Sequence, residues 1–204
     1  MGRDGTKTKN KILSESKSLV FKNGFSGTSI DQILEKTGIT KGAFFYHFKT
    51  KNALAKALIE EYANEDMNHM NYVLEKTESL MGDPLHRLLQ FIQEFIDMMS
   101  DITEPPSCLY ASYVNEPNYF SEEILTSVSD SILSWRKTFE YLLGNVMKEC
   151  EKKINVDLVS LSDLFTVVFE GSFVVSKSLN DPSLTARQLK LLKNYFQLLF
   201  EVEK

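Results

Sequence analysis

Thr28-Ser29-Ile30-Asp31-Gln32-Ile33-Leu34-Glu35-Lys36-Thr37-Gly38-Ile39-Thr40-Lys41-Gly42-Ala43-Phe44-Phe45-Tyr46-His47-Phe48-Lys49-Thr50-Lys51 decides how this chain folds. Thr28 and Asp31 have the spacing of a helix N-cap and its N3 partner, which predicts a short helix ending at Thr37-Gly38. Thr40 is placed to cap a second short helix from Lys41 to Phe48, and Thr50 to cap a third. Two short capped helices across a tight Gly38 turn have the layout of a helix-turn-helix.

On the second helix Phe44 and Phe48 stand four residues apart and share the face that packs inward with Ile33 and Leu34. Gly42, Ala43 and Tyr46 fall opposite, flanked by Lys41, Phe45 and His47. A helical glycine costs about 0.5–1 kcal/mol relative to alanine, which makes sense where another surface approaches the backbone closely. Ala43 suits a thymine methyl, and Tyr46 and His47 offer hydrogen bonds to phosphates or base edges. Lys41, Lys49 and Lys51 sit at helix starts, where unpaired N–H groups favour phosphate. The hydroxyl of Thr28, or the N–H beside it, is a further backbone contact.

Charge agrees with this reading. Of 204 residues with net charge -5, residues 1–52 hold ten Lys/Arg against four Asp/Glu, a net of +6, and the other 152 hold 13 against 24, a net of -11. A basic head on an acidic body predicts that the head meets a polyanion. Two cysteines exclude a disulfide framework. No apolar run reaches the roughly 18 residues of a membrane span, and no secretory signal opens the chain, so the expectation is a cytoplasmic protein with no membrane partner. Glycine-rich phosphate loops, metal-binding His/Glu or Cys pairs and nucleophile elbows are absent, so no catalytic residue, metal or cofactor is expected.

Helical periodicity continues throughout. Residues 7–23 are helical, and the helix from Lys51 runs toward Leu80. Asp83-Pro84 opens a helix to about residue 101, and a short one follows over 108–115. Ser121 caps a long helix to about Lys152, and two more span 161–179 and 183–202. The fold class is all-α with about nine helices. Residues 1–52 form a three-helix helix-turn-helix DNA-binding head, and 53–204 a helical bundle.

Residues 8–55 resemble the DNA-binding domain of the TetR/AcrR family of bacterial transcriptional regulators. The likeness is carried by Ile12 through Phe21, Gly24-Phe25, Thr28, Ile33, Gly38 through Gly42 and Phe44 through Lys51. It implies a homodimeric repressor whose heads enter the major grooves of a palindromic double-stranded operator, and whose bundle holds an effector pocket and the dimer interface. DNA contacts then fall on Thr28, Thr40, Lys41, Gly42, Ala43, Phe45, Tyr46, His47 and Lys51, with Lys49 beside them. The family often has tyrosine where Phe45 stands, so this position loses a phosphate donor and base reading shifts to Lys41, Ala43 and Tyr46.

In the bundle, Phe91, Phe95, Met98, Met99, Tyr110, Tyr113, Trp135 and Phe139 are the ligand-lining candidates, which suits a small, mostly apolar effector or an electrophile. Phe165, Phe169, Phe173, Leu189, Leu192 and Phe196 are the dimerisation candidates. Cys108, at a helix N-terminus, is a candidate redox or electrophile sensor. The competing reading is a helical protein–protein adaptor whose basic patch is incidental, and salt dependence separates the two.

Overall fold

The computed structural model describes residues 2–200, with side chains from residue 5 onward. Among the described residues nine α-helices run in the order α1 Gly2–Asn23, α2 Ile30–Thr37, α3 Lys41–His47, α4 Lys51–Lys76, α5 Pro84–Ser100, α6 Leu109–Val114, α7 Glu122–Glu149, α8 Leu158–Leu179 and α9 Leu184–Phe200. The described residues contain no strand. Short 3-10 turns cover Glu78–Leu80 and Pro117–Tyr119.

Most boundaries follow local chemistry. Gly24 and Gly38 end α1 and α2 at φ 74° and 67°, the left-handed backbone that suits glycine. Asp83 accepts from the His86 N–H with Pro84 at the first helical position of α5. Three expectations are corrected. The cap of α2 is Ser29, in a full capping box with Gln32, because Thr28 is buried and its hydroxyl donates to the Gly24 carbonyl. The fourth helix stops at Lys76, where the Thr77 hydroxyl turns back onto the Val73 carbonyl. Asp157 caps α8 at Leu158, three residues before the expected start. The predicted end of α9 near Val202 lies outside the described residues.

The chain forms two compact units, Met1–Asp66 with Cys108–Asp130, and Met67–Ser107 with Ser131–Lys204. In the first, α1 packs on α2 and α6. Its core holds Ile12, Leu13, Val20, Phe25, Ile33, Phe44, Phe48, Leu54 and Leu58, all buried. Tyr113 is also buried; it stacks on Phe120 at 4.0 Å and donates to the Ala55 carbonyl at 2.9 Å. Burial pushes its phenol pKa up.

In the second unit α9 packs on α5 and α8. Phe95, Trp135, Phe139, Phe165 and Phe169 form a continuous aromatic stack, with Trp135 on Phe165 at 5.7 Å and Phe139 on Phe165 at 4.5 Å. Buried aromatics of this size carry much of a core's free energy. Arg136 on α7 grips Asp163 on α8 through two parallel hydrogen bonds of 2.7 and 2.8 Å.

Helix α8 corrects one reading of the sequence. By length and composition it is apolar enough to cross a membrane, because Glu170 and its other charges are spaced too widely to lower the average much. Val167, Val174, Val175 and Leu179 of α8 are exposed, as are Leu191 and Leu198 of α9.

Candidate nucleic-acid interface

Helix α3 is seven residues long, too short to stand without tertiary support. Thr40 Oγ1 accepts from the Ala43 N–H at 3.2 Å and starts it. Phe44 and Phe48 lie 6.0 Å apart between ring centres, at 0% and 3% exposure, and pin its inner face. The outer face follows from that anchoring. Lys41, Gly42 and Lys49 are exposed, and Tyr46 is 74% exposed. Ala43, Phe45 and His47 are half-buried. The Phe45 ring meets Phe44 edge-on at 5.3 Å, and the His47 ring meets Tyr46 edge-on at 5.1 Å.

Gly42 has no packing reason to be glycine. A Cβ there would meet only Thr40 Oγ1, at 3.9 Å. The space outside it is left open by the protein itself.

Three lysines of this unit are neutralised by carboxylates, whereas those at the ends of α3 are not. Lys17 pairs with Glu65, Lys36 with Glu15 and Lys56 with Glu123. Lys41 and Lys49 have no carboxylate within 4.0 Å among the described residues. Free positive charge therefore remains at both ends of α3, which is what a phosphate backbone attracts.

A brace holds the turn between α1 and α2. The Glu116 carboxylate accepts from the Phe25 N–H at 2.9 Å and the Ser26 N–H at 2.8 Å. Lys51 Nζ donates to the Phe25 carbonyl at 2.6 Å and lies 4.3 Å from the Phe25 ring centre. Burial pushes the Glu116 carboxyl up, but the bonds from Ser26 and Phe25 and the charge of Lys51 outweigh it and hold it below the ordinary range. Desolvation lowers the Lys51 pKa, partly offset by Glu116. Of the residues singled out in the sequence, Thr28 and Lys51 thus serve the turn, while Thr40, Lys41, Gly42, Ala43, Phe45, Tyr46, His47 and Lys49 gather on or beside α3. Sequence reasoning missed Glu116, because its partners lie 90 residues away and nothing local marks it.

The other candidates divide. Phe91, Phe95, Trp135 and Phe139 meet in the aromatic stack of the second unit, with Met98 and Met99 on the same helix. Tyr110 and Tyr113 belong to the first unit, where the Tyr110 hydroxyl donates to Asp66 at 3.0 Å. Cys108 is the N-cap residue of α6 and is 5% exposed, so it is covered rather than presented. Among the dimerisation candidates, Phe165, Phe173, Leu189, Leu192 and Phe196 are buried within the single chain, and Phe169 is half-buried in the stack. These side chains fill the core of the second unit.

Fold and site define a helix-turn-helix DNA-binding transcriptional regulator. A family model described as bacterial regulatory proteins, tetR family, matches residues 12–58, the segment that holds α2 and α3. An uncharacterised HTH-type transcriptional regulator in the lacX 3' region of Lactococcus lactis subsp. lactis is 26% identical, over 93% of this chain and 93% of its own length. The HTH-type negative transcriptional regulator IcaR of the biofilm operon icaADBC, from Staphylococcus aureus (strain Newman), is 28% identical over 60% of this chain and 62% of its own. A TetR-family regulator from Agrobacterium tumefaciens superposes with a TM-score of 0.80 at 17% identity, covering 97% of this chain and 100% of its own.

Proposed function

We propose that this protein is a cytoplasmic, non-enzymatic repressor that binds a palindromic operator as a homodimer and is released by a small-molecule effector. The observation that carries the reading is the outer face of α3, with Tyr46 exposed between the unpaired Lys41 and Lys49. Residues 1–52 read DNA, and residues 53–204 bind the effector and the second protomer. Lys41, Ala43 and Tyr46 read base edges, and Thr40, Phe45, His47 and Lys49 contact the backbone or pack beside it. Thr28 and Lys51 act through the turn they brace. The negative regulation in the name of IcaR supports repression.

The dimer surface comes from the side chains that α8 and α9 leave outside. Val167, Val174, Val175, Leu179, Leu191 and Leu198 are each at least 45% exposed. Covering them removes apolar area from water at about 25 cal/mol per Å².

Selection of bound fragments from sheared genomic DNA at two salt concentrations tests the reading. One palindromic site, recovered at low salt and lost at higher salt, is the expected result. Random fragments, or none, overturn it in favour of the adaptor. The double variant Lys41→Ala, Tyr46→Ala is expected to lose discrimination between that site and random DNA while sedimenting as the wild type does. Each phosphate contact removed lowers the slope of log affinity against log salt by about one.

Gly42→Ala separates fold from function. It is expected to stabilise the protein by about 0.5–1 kcal/mol, since the new methyl meets only one atom, at 3.9 Å. Operator affinity is expected to fall, because that methyl occupies the space kept for DNA. A stabilised variant that binds as tightly as the wild type places the interface elsewhere.

A further inference from the structure

Arg87 on α5 is taken out of water without a carboxylate. It is 6% exposed, and among the described residues it forms no ion pair. Its Nη1 donates to the Tyr141 hydroxyl at 3.1 Å and its Nη2 to the Leu74 carbonyl at 3.3 Å. Its Nε is covered and reaches no acceptor. The guanidinium lies 5.5 Å from the centre of the Tyr141 ring. A neutral phenol and a carbonyl are weak company for a buried cation, and one guanidinium nitrogen is left without an acceptor.

Arg87 lines a cavity of about 290 Å³. Leu142 and the Tyr141 ring give it apolar walls, and Asn145, Lys148 and Glu149 supply polar ones. Lys148 Nζ donates to Asn145 Oδ1 at 3.1 Å, so this cation too is held at the cavity without a carboxylate of its own. Two cations against one carboxylate is a local reversal in a body whose net charge is -11.

We propose that this cavity binds a small amphipathic organic carboxylate. The carboxylate takes its place beside the Arg87 guanidinium as the missing counter-charge, in the planar geometry that arginine matches best. Lys148 adds a second cationic contact, and the organic portion lies against Leu142 and Tyr141. The volume fits a ligand of roughly ten non-hydrogen atoms, at the small end of ligand sites. Glu149, exposed at the rim, disfavours a second negative charge and so favours a monocarboxylate over a dicarboxylate or phosphate.

Binding is read on the DNA-free protein, so the proposal does not rest on the operator reading and can fail separately from it. Benzoate and octanoate are titrated by calorimetry and thermal shift, with benzamide and octanol as neutral counterparts. The carboxylates are expected to bind with one site per chain and raise the melting temperature, and the neutral compounds are not. Lys148→Gln is expected to weaken carboxylate binding about tenfold, the worth of one charge-assisted hydrogen bond. Arg87→Met is expected to abolish it. Should Arg87→Met fail to fold, Asn145→Trp, which fills the cavity from a half-buried position, is expected to abolish binding with the fold intact. No saturation by either carboxylate at millimolar concentrations, equal binding of the neutral compounds, or unchanged affinity in Lys148→Gln and Asn145→Trp overturns the proposal, and Arg87 is then only a prop for the end of α4.

Discussion

Glu116→Ala is expected to cost the protein about 2 kcal/mol and to free the amides of Phe25 and Ser26 to exchange with solvent. The carboxylate accepts both N–H groups at 2.9 and 2.8 Å, and each such charge-assisted bond contributes about 1.5–3 kcal/mol when well formed. Partial exposure reduces the sum, so the lower part of the range applies. Gly24 supplies an internal check. A Cβ at this position would sit 2.6 Å from Glu116 Oε1, on a backbone with φ 74°. Gly24→Ala therefore strains the turn by about 1–2 kcal/mol and also pushes the Glu116 carboxylate off its donors. The two substitutions together should cost less than the sum of their separate costs, by about 1 kcal/mol. Strict additivity in a denaturant-unfolding cycle would show that the two groups do not share the turn.

The same carboxyl sets a pH dependence. Its native pKa lies below its unfolded value of about 4.3, so its contribution is full above that pH and drains away as pH falls through the native pKa. Glu116→Gln is expected to be less stable than wild type at pH 7, and the gap should close as the pH drops below about 4. A constant gap from pH 7 to pH 3 would exclude ionisation of Glu116 as the source.

Phe44→Ala is expected to cost about 3–5 kcal/mol, against a total stability of about 5–15 kcal/mol for a typical domain. Phe44 has 0% exposure and touches both flanking rings, Phe45 at 5.3 Å and Phe48 at 6.0 Å. Helix α3 is anchored through the buried rings of Phe44 and Phe48. Losing the Phe44 ring should abolish DNA binding at temperatures where the second unit still melts cooperatively. Phe44→Leu, nearer in volume, should lose less than about 2 kcal/mol and keep binding. If Phe44→Ala binds DNA normally at 37 °C, the face of α3 is not positioned by this ring.

Those residues also show what a sequence can reveal. The outer face of α3 was legible because cap, glycine and aromatic spacing all lie within a dozen residues, where helical geometry fixes neighbours. The Thr28 cap failed on a local competition. Two adjacent hydroxyls could each begin α2, and only the fold assigns Thr28 to the Gly24 carbonyl. Glu116 was illegible because its role depends on a distant loop. Helix α8 was half legible. Its periodicity marks apolar residues, but on a helix apolar nearly all round it does not tell Phe165, which faces inward, from Val174, which faces out. Tyr110 and Tyr113 were grouped with Phe91 by residue type alone, since no local pattern tells a lining aromatic from a core one.

The shortness of α3 sets a counting problem. Seven residues at about 1.5 Å each span about 10 Å, the length of about three base pairs. A three-letter word recurs by chance about once in every 64 positions, far too often among the million or more sites a genome offers. A second copy of the helix squares the odds to about one in 4,000, which still leaves hundreds of accidental matches. Those odds hold only at one fixed gap between the two words, and the proposed dimer measures that gap by how far apart it holds its heads. An effector that alters that separation leaves every letter of the address intact and changes only its spacing.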